Sequence, residues 1–194
     1  MTEKNYLALF AKSFNWAGFF LPKNIYYDCT KIYAFCRVLD DLVDEKTNLE
    51  LRAEKFNKIR NYFRTAYEQD DEESKLIDKF EHSSIVNEMI VIAGNSGIKK
   101  IILDDLIEGV GSDLKSKVHL RSVKDLLVYS YRVAGTVGLM MAKILKVNDT
   151  RSLKGAIDLG IAMQLTNIAR DVIEDKKMNR QYIKSDFENI VATL

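Results

Sequence analysis

The chain has 194 residues, 47% of them hydrophobic and 29% charged, enough for one compact domain and unlike the composition of a disordered polymer. A formal net charge of +1 excludes the broad basic excess of a nucleic-acid-binding protein, so no nucleic-acid partner is expected, and it leaves anion binding to a few placed residues. The longest apolar stretch runs from Val133 past Ala142 and stops at Lys143, well short of the roughly 18 residues of a membrane span.

Taken from its start, the chain shows no basic segment followed by an apolar run and a small-residue cleavage site, so no secretory leader is read. Cys29 and Cys36 lie two turns apart on one predicted helix, about 10 Å along its axis and too far for a disulfide. They read as small core residues in a reducing, cytoplasmic compartment. Apolar residues recur at helical spacing from end to end and β-branched alternation is absent, which predicts an all-α protein. Helices are predicted at roughly 3–20, 23–45, 49–68, 73–93, 98–110, 122–146 and 151–177. Pro22 is placed to start the second, because a first turn does not need its missing N–H. Gly94-Asn95-Ser96-Gly97 reads as a loop, and Asn148-Asp149-Thr150 supplies capping residues. The acidic run from Glu68 to Ser74 carries no apolar periodicity and reads as a solvated connection. No linker and no internal repeat divides residues 1–194, so a single domain is expected.

Two of these helices carry a polar stripe beside an apolar seam. On the second, Ile25, Cys29, Ile32, Cys36, Leu39 and Val43 form the seam; one residue on, about 100° around, stand Tyr33, Arg37, Asp40 and Asp44, with Asp41 beside them. On the last, Ile157, Ile161, Leu165, Ile168 and Val172 form the seam, and Gln164, Asn167, Asp171 and Asp175 the stripe, with Arg170 between. In each stripe the aspartates stand at i and i+4, with Cβ atoms roughly 5–6 Å apart. One exposed acidic pair costs only about 0.2–0.5 kcal/mol and proves nothing. Two pairs near a shared interior, where repulsion approaches about 4 kcal/mol each, call for a cation. Magnesium suits them, since it takes one or two carboxylates and fills its shell with water and phosphate oxygens. The arginines suit a diphosphate clamp. Folding is expected to bring the two stripes face to face. A dinuclear iron centre would want Glu-x-x-His pairs, which His82 and His119 do not complete.

With these residues the chain resembles the squalene/phytoene synthase family. Arg37-Val-Leu-Asp40-Asp41-Leu-Val-Asp44, after Tyr33-Ala-Phe-Cys36, is similar to its first aspartate-rich motif, and Gln164-Leu-Thr-Asn167-Ile-Ala-Arg170-Asp171-Val-Ile-Glu-Asp175 to its second. Tyr129-Ser-Tyr-Arg-Val133-Ala-Gly135-Thr-Val137-Gly138 resembles the helix that faces the prenyl chains, and Lys12-Ser13-Phe14 with Leu21-Pro22 the N-terminal segment. The resemblance implies a helical bundle of the isoprenoid synthase type around a central cavity. It implies head-to-head condensation of two farnesyl or geranylgeranyl diphosphates, through a cyclopropylcarbinyl diphosphate, to phytoene or a squalene-type product. Asp40, Asp41, Asp44, Asn167, Asp171 and Asp175 would hold Mg2+, with Mn2+ as the alternative ion. Arg37, Tyr33, Arg170 and Gln164 would position the diphosphates, and Ser13, Phe14, Tyr129, Val133, Gly138 and Tyr182 would contact substrate. Close passage of a prenyl chain or close helix packing would each explain Gly135 and Gly138.

Members of the family continue through several further helices, so the chain is expected to be shortened at its C-terminus. Asn179-Arg180-Gln181-Tyr182-Ile183-Lys184 resembles the family's flap, with asparagine in place of glycine and lysine in place of proline; Ala11 stands in place of a serine. Three readings remain: a fragment or one half of a split enzyme, an enzyme that completes its cavity by pairing with another chain or with itself, and a non-catalytic relative that binds a lipid or acts as a scaffold. A head-to-tail elongase or terpene cyclase matches the flanks of the motifs less well. No dinucleotide-binding glycine motif is present, and the resemblance implies none, so use of NADPH stays open. A peripheral membrane contact would give access to a greasy substrate.

Overall fold

The computed structural model describes residues 12–68 and 80–183. They fall into two compact units: one up to Lys100 with Lys143–Lys146, the other Ile101–Ala142 with the residues from Val147 onward. In chain order the elements are α1 (Lys12–Gly18), α2 (Lys23–Asp44), α3 (Leu49–Glu68), α4 (Ser83–Ser96), α5 (Lys100–Gly111), β1 (Val118–His119) and α6 (Val123–Ser130). A π-helical turn (Tyr131–Gly135) follows, then α7 (Thr136–Ile144), α8 (Thr150–Arg170), α9 (Val172–Lys177) and β2 (Arg180–Gln181). The all-α expectation holds, with one two-residue parallel pairing added: Val118 against Arg180 and His119 against Gln181.

In the first unit, α2, α3 and α4 pack on one another. Pro22 is the cap before α2 and not its first residue, and its carbonyl accepts from Tyr26 N–H at 2.9 Å. The buried face of α2 is wider than the predicted seam: Phe35, Val38 and Leu42 join Cys29, Ile32, Leu39 and Val43, while Ile25 and Cys36 are only half-buried. Phe56, Ile59 and Phe63 of α3 and Val86, Met89 and Ala93 of α4 complete this core. Both cysteines are free thiols, and burial pushes that of Cys29 up to about 11. Lys31 is buried as well, which requires a partner; its Nζ lies 2.9 Å from Glu88 Oε2 and over the Tyr27 ring. Arg52 caps the end of α2 by donating to Val43 O at 2.5 Å.

The predicted loop at Gly94–Gly97 is a correction. α4 continues through Ser96, and only Gly97 leaves it, at φ 65, with Ile98 N–H closing the end on Ala93 O at 2.9 Å. This is the left-handed glycine stop, and the buried Ile98 anchors it. The helix predicted from 73 begins at Ser83 among the described residues; the acidic run beyond Glu68 lies outside them.

The second unit is built on close backbone contact. α8, capped by the Asp149 side chain on Ser152 N–H at 2.8 Å, packs against the π turn. A Cβ on Gly160 would run into Ala134 O, and one on Gly138 into Ala156 O. Gly138 therefore owes its missing side chain to helix packing, the second of the two readings above. The helix predicted over 122–146 carries the π turn in its middle. Thr136 N–H reaches back to Tyr131 O, and the Thr136 hydroxyl donates to Arg132 O at 2.7 Å, which keeps that carbonyl partnered. Tyr131 and Arg132 both face Asp105 of α5, at 3.4 and 3.7 Å.

Below the strand pair sits a core of Val118, Tyr129, Ile168 and Tyr182, flanked by Leu120, Leu126, Val133 and Ile183. The Tyr129 and Tyr182 rings stack with centroids 4.9 Å apart. Both hydroxyls donate to the same oxygen of buried Asp113, at 2.7 and 3.0 Å. Burial, with the Asp113 carboxylate beside them, pushes both phenols above the usual tyrosine range.

Two predictions follow from this packing. Gly160→Ala should destabilise by about 1–3 kcal/mol in denaturant unfolding, because overpacking outweighs the gain in helix propensity. Gly155→Ala, where a Cβ meets nothing within 4 Å, should stabilise by about 0.5–1 kcal/mol. Equal responses would refute the backbone contact. The tyrosine pair also sets an alkaline limit. Both phenols hold their protons in the fold at a pH where an unfolded tyrosine, with a pKa of about 10, loses its own; their contribution is whole below about pH 10 and declines as pH rises beyond it. Tyr129→Phe/Tyr182→Phe should flatten that decline when unfolding is followed from pH 8 to pH 11, a range of about three units chosen to bracket the free phenol.

Candidate active site

The first carboxylate station lies on α2. Buried Leu39 and Val43 fix the helix's rotation, and this presents Asp40, Asp41 and Asp44 to the exterior with Tyr33 and Arg37 half-buried behind them. Arg37 Nη2 binds Asp41 Oδ1 at 2.6 Å, one turn away, so Asp41 is engaged by an arginine of its own helix. Burial raises the Tyr33 phenol and the neighbouring Arg37 opposes this, leaving the hydroxyl a donor at neutral pH.

The second station was expected on one unbroken helix and is not. α8 ends at Arg170, Asp171 stands outside helical geometry at φ −102 and ψ 13, and α9 restarts at Val172. The turn spacing survives, because Asp171 N–H reaches Asn167 O and Asp175 N–H reaches Asp171 O, each at 2.9 Å. Arg170 clasps Asp171 in a two-pronged pair, Nε to Oδ1 at 2.7 Å and Nη2 to Oδ2 at 2.6 Å. That clasp holds the Asp171 carboxyl below its ordinary pKa, so it is an anion at neutral pH. Asn167 is exposed, Gln164 half-buried. Asp175 lines a narrow crevice with Ile168, Val172, Arg180, Gln181, Tyr182 and Ile183.

Among the described residues, no three His, Cys, Asp or Glu side chains stand close enough to bind an ion by themselves. The donors present are carboxylate and amide oxygens in pairs. That set fits a hard cation that draws its remaining ligands from water and phosphate, and does not fit zinc, which prefers nitrogen and sulfur.

The remaining predicted contacts fall in different surroundings. Phe14 is 51% exposed on α1, beside exposed Trp16, whose ring meets that of Phe20 edge-on; the Ser13 side chain lies outside the described residues. Tyr129 and Tyr182 are core residues with hydroxyls committed to Asp113, and Val133 packs against the same core. Asn179, in place of the flap's glycine, adopts φ 59, a conformation that asparagine tolerates better than most residues. Lys184 lies outside the described residues. Asp113 had no sequence signal: it is a single acid two residues past the end of α5, with no periodic neighbour. None of the described helices is long and apolar enough to cross a membrane.

A family model described as Squalene/phytoene synthase matches residues 7–187. The chain is 36% identical over 177 residues to 15-cis-phytoene synthase of a Paracoccus species, covering 91% of this chain and 57% of that one. It is 30% identical over 189 residues to 15-cis-phytoene synthase of Pantoea ananas, covering 93% and 58%. A crystal structure of a dehydrosqualene synthase in complex with ligand superposes with a TM-score of 0.66 at 29% identity, over 93% of this chain and 59% of that one. The chain thus spans little more than half the length of these relatives. Matched along most of its length, with both aspartate motifs in place and helices of the same fold beneath them, the chain belongs to the squalene/phytoene synthase family.

Proposed function

We propose that the chain carries the metal- and diphosphate-binding machinery of a prenyltransferase that joins two farnesyl or geranylgeranyl diphosphates head to head. The observation that supports it most is the second station, where Arg170 clasps the Asp171 carboxylate one turn from both Asn167 and Asp175. The kinship with phytoene and dehydrosqualene synthases supports the reaction class.

Asp40 and Asp44 on α2, and Asn167, Asp171 and Asp175 across α8 and α9, are the residues that would hold Mg2+, or Mn2+ in its place, and a bound ion would supply positive charge to offset that on a departing diphosphate. Arg37 and Arg170 exchange their present carboxylate partners for phosphate oxygens, which offer the same two-pronged geometry. Tyr33 donates its hydroxyl to the same group. The second prenyl double bond would then attack the allylic cation, a step that requires water to be excluded.

Labelled farnesyl and geranylgeranyl diphosphates, supplied with Mg2+, should give a cyclopropylcarbinyl diphosphate or its hydrocarbon product, and EDTA should abolish it. Asp171→Asn should lower turnover at least about 100-fold, the scale of a lost transition-state contact, with the unfolding midpoint unchanged. Full activity in that variant, or in EDTA, would remove Asp171 and the metal from the reaction.

A further inference from the structure

We propose that Trp16, Phe19 and Phe20 form a docking face for the surface of an anionic lipid bilayer. In the first unit these rings are 71%, 83% and 71% exposed. They form one cluster: Phe20 meets Trp16 edge-on with centroids 5.5 Å apart, and Phe19 edge-on at 5.9 Å. The backbone holds them together, with Phe19 N–H on Trp16 O at 3.2 Å and Phe20 N–H on Ala17 O at 3.3 Å. Another side of α1 is committed to α2. Tyr26 donates its hydroxyl to Asn15 Oδ1 at 2.6 Å, and its ring lies against Gly18, where a Cβ would come within 2.7 Å of it. That contact fixes the rotation of α1 and keeps the cluster outward.

Clustered apolar rings in water mark a contact surface. Two features select a bilayer as the occupant. Tryptophan and phenylalanine are the residues that seat an amphipathic segment at the boundary of headgroups and acyl chains. The sequence around them is cationic: from Lys4 to Tyr27 it holds three lysines and no acid, and Lys12 and Lys23 bracket the cluster. Lys23 stands exposed at the start of α2. Anionic headgroups complement that charge. A second copy of the chain fits less well, because a two-fold contact would set each lysine-bracketed cluster against its own image. The surface also places the chain where long prenyl tails dissolve; that benefit rests on the function proposed above, and the contact does not.

Trp16 is the single tryptophan of the chain, so its fluorescence reports the contact directly. Vesicles of phosphatidylglycerol and phosphatidylcholine in equal parts should shift its emission to the blue, and the same lipids with brominated acyl chains should quench it. Phe19→Ala/Phe20→Ala should weaken vesicle binding at least about tenfold, and Lys23→Glu at least about fivefold, the scale of one lysine beside a charged membrane. Val91→Ala, at another exposed apolar residue of the same unit, should leave binding unchanged. The quench is read on the intact chain, so it decides even where a variant is destabilised. An unshifted emission, no quenching by brominated lipid, equal binding by the phenylalanine double variant, or a dimer that buries Trp16 in lipid-free buffer would overturn the proposal. Vesicle binding by a chain that yields no prenyl product would sink the proposed reaction and keep this surface.

Discussion

The second unit depends on one contact, the reciprocal docking of two backbones where glycine removes the side chain. Gly160 of α8 sits over Ala134 O, and Gly138 of α7 sits over Ala156 O. Because each glycine receives the other segment's carbonyl, α8 can neither rotate nor slide without driving a Cβ into backbone. Rotation is the property that matters for the stripe one turn onward. Gln164, Asn167 and Asp171 follow Gly160 at helical spacing, so the glycine that allows the contact also sets the direction of the polar stripe. Ile157 and Ile161 close against Gly135 from the same side and complete the lock.

The break at Asp171 has an electrostatic consequence. A carboxylate at the last turn of α8 meets the negative end of that helix, where it is disfavoured by roughly 0.3–1 kcal/mol. Arg170 offsets this directly. Restarting the chain as α9 then turns the next acid from a C-terminal liability into an N-terminal fit: Glu174 and Asp175 stand in the first turn of α9, facing the positive end of its peptides. An unbroken helix ending at Lys177 would have left Asp175 in the unfavourable last turn. The interruption thus lets two carboxylates keep one-turn spacing, with one held by an arginine and the other by backbone polarity.

Long periodic helices were legible in the residues, and so were their charged flanks. α2, α3 and the start of α8 follow from apolar spacing, Pro22 and Asp149, and both aspartate pairs stand out because each adjoins an apolar seam. What periodicity conceals is a change of winding that leaves composition intact. The π turn at Tyr131–Gly135 uses ordinary helical residues, and the break after Arg170 preserves turn spacing, so neither interrupts the pattern. The glycines were ambiguous for a related reason: a missing side chain shows that something comes close, and only the neighbouring chain shows what. Groups assembled from separate elements leave no local trace at all. Asp113 with its two tyrosines is of this kind.

The flap shows how a departure from a family pattern can be neutral at one level and informative at another. Glycine is expected where left-handed backbone is required, and Asn179 at φ 59 meets the same requirement at modest cost, so the turn forms without glycine. The segment is then held from both ends of a short path. Two backbone hydrogen bonds to β1 fix its start, and stacked Tyr182, sharing the Asp113 carboxylate with Tyr129, fixes it three residues after Asn179. Arg180 lies between those anchors, so its backbone position is determined by neighbours on both sides.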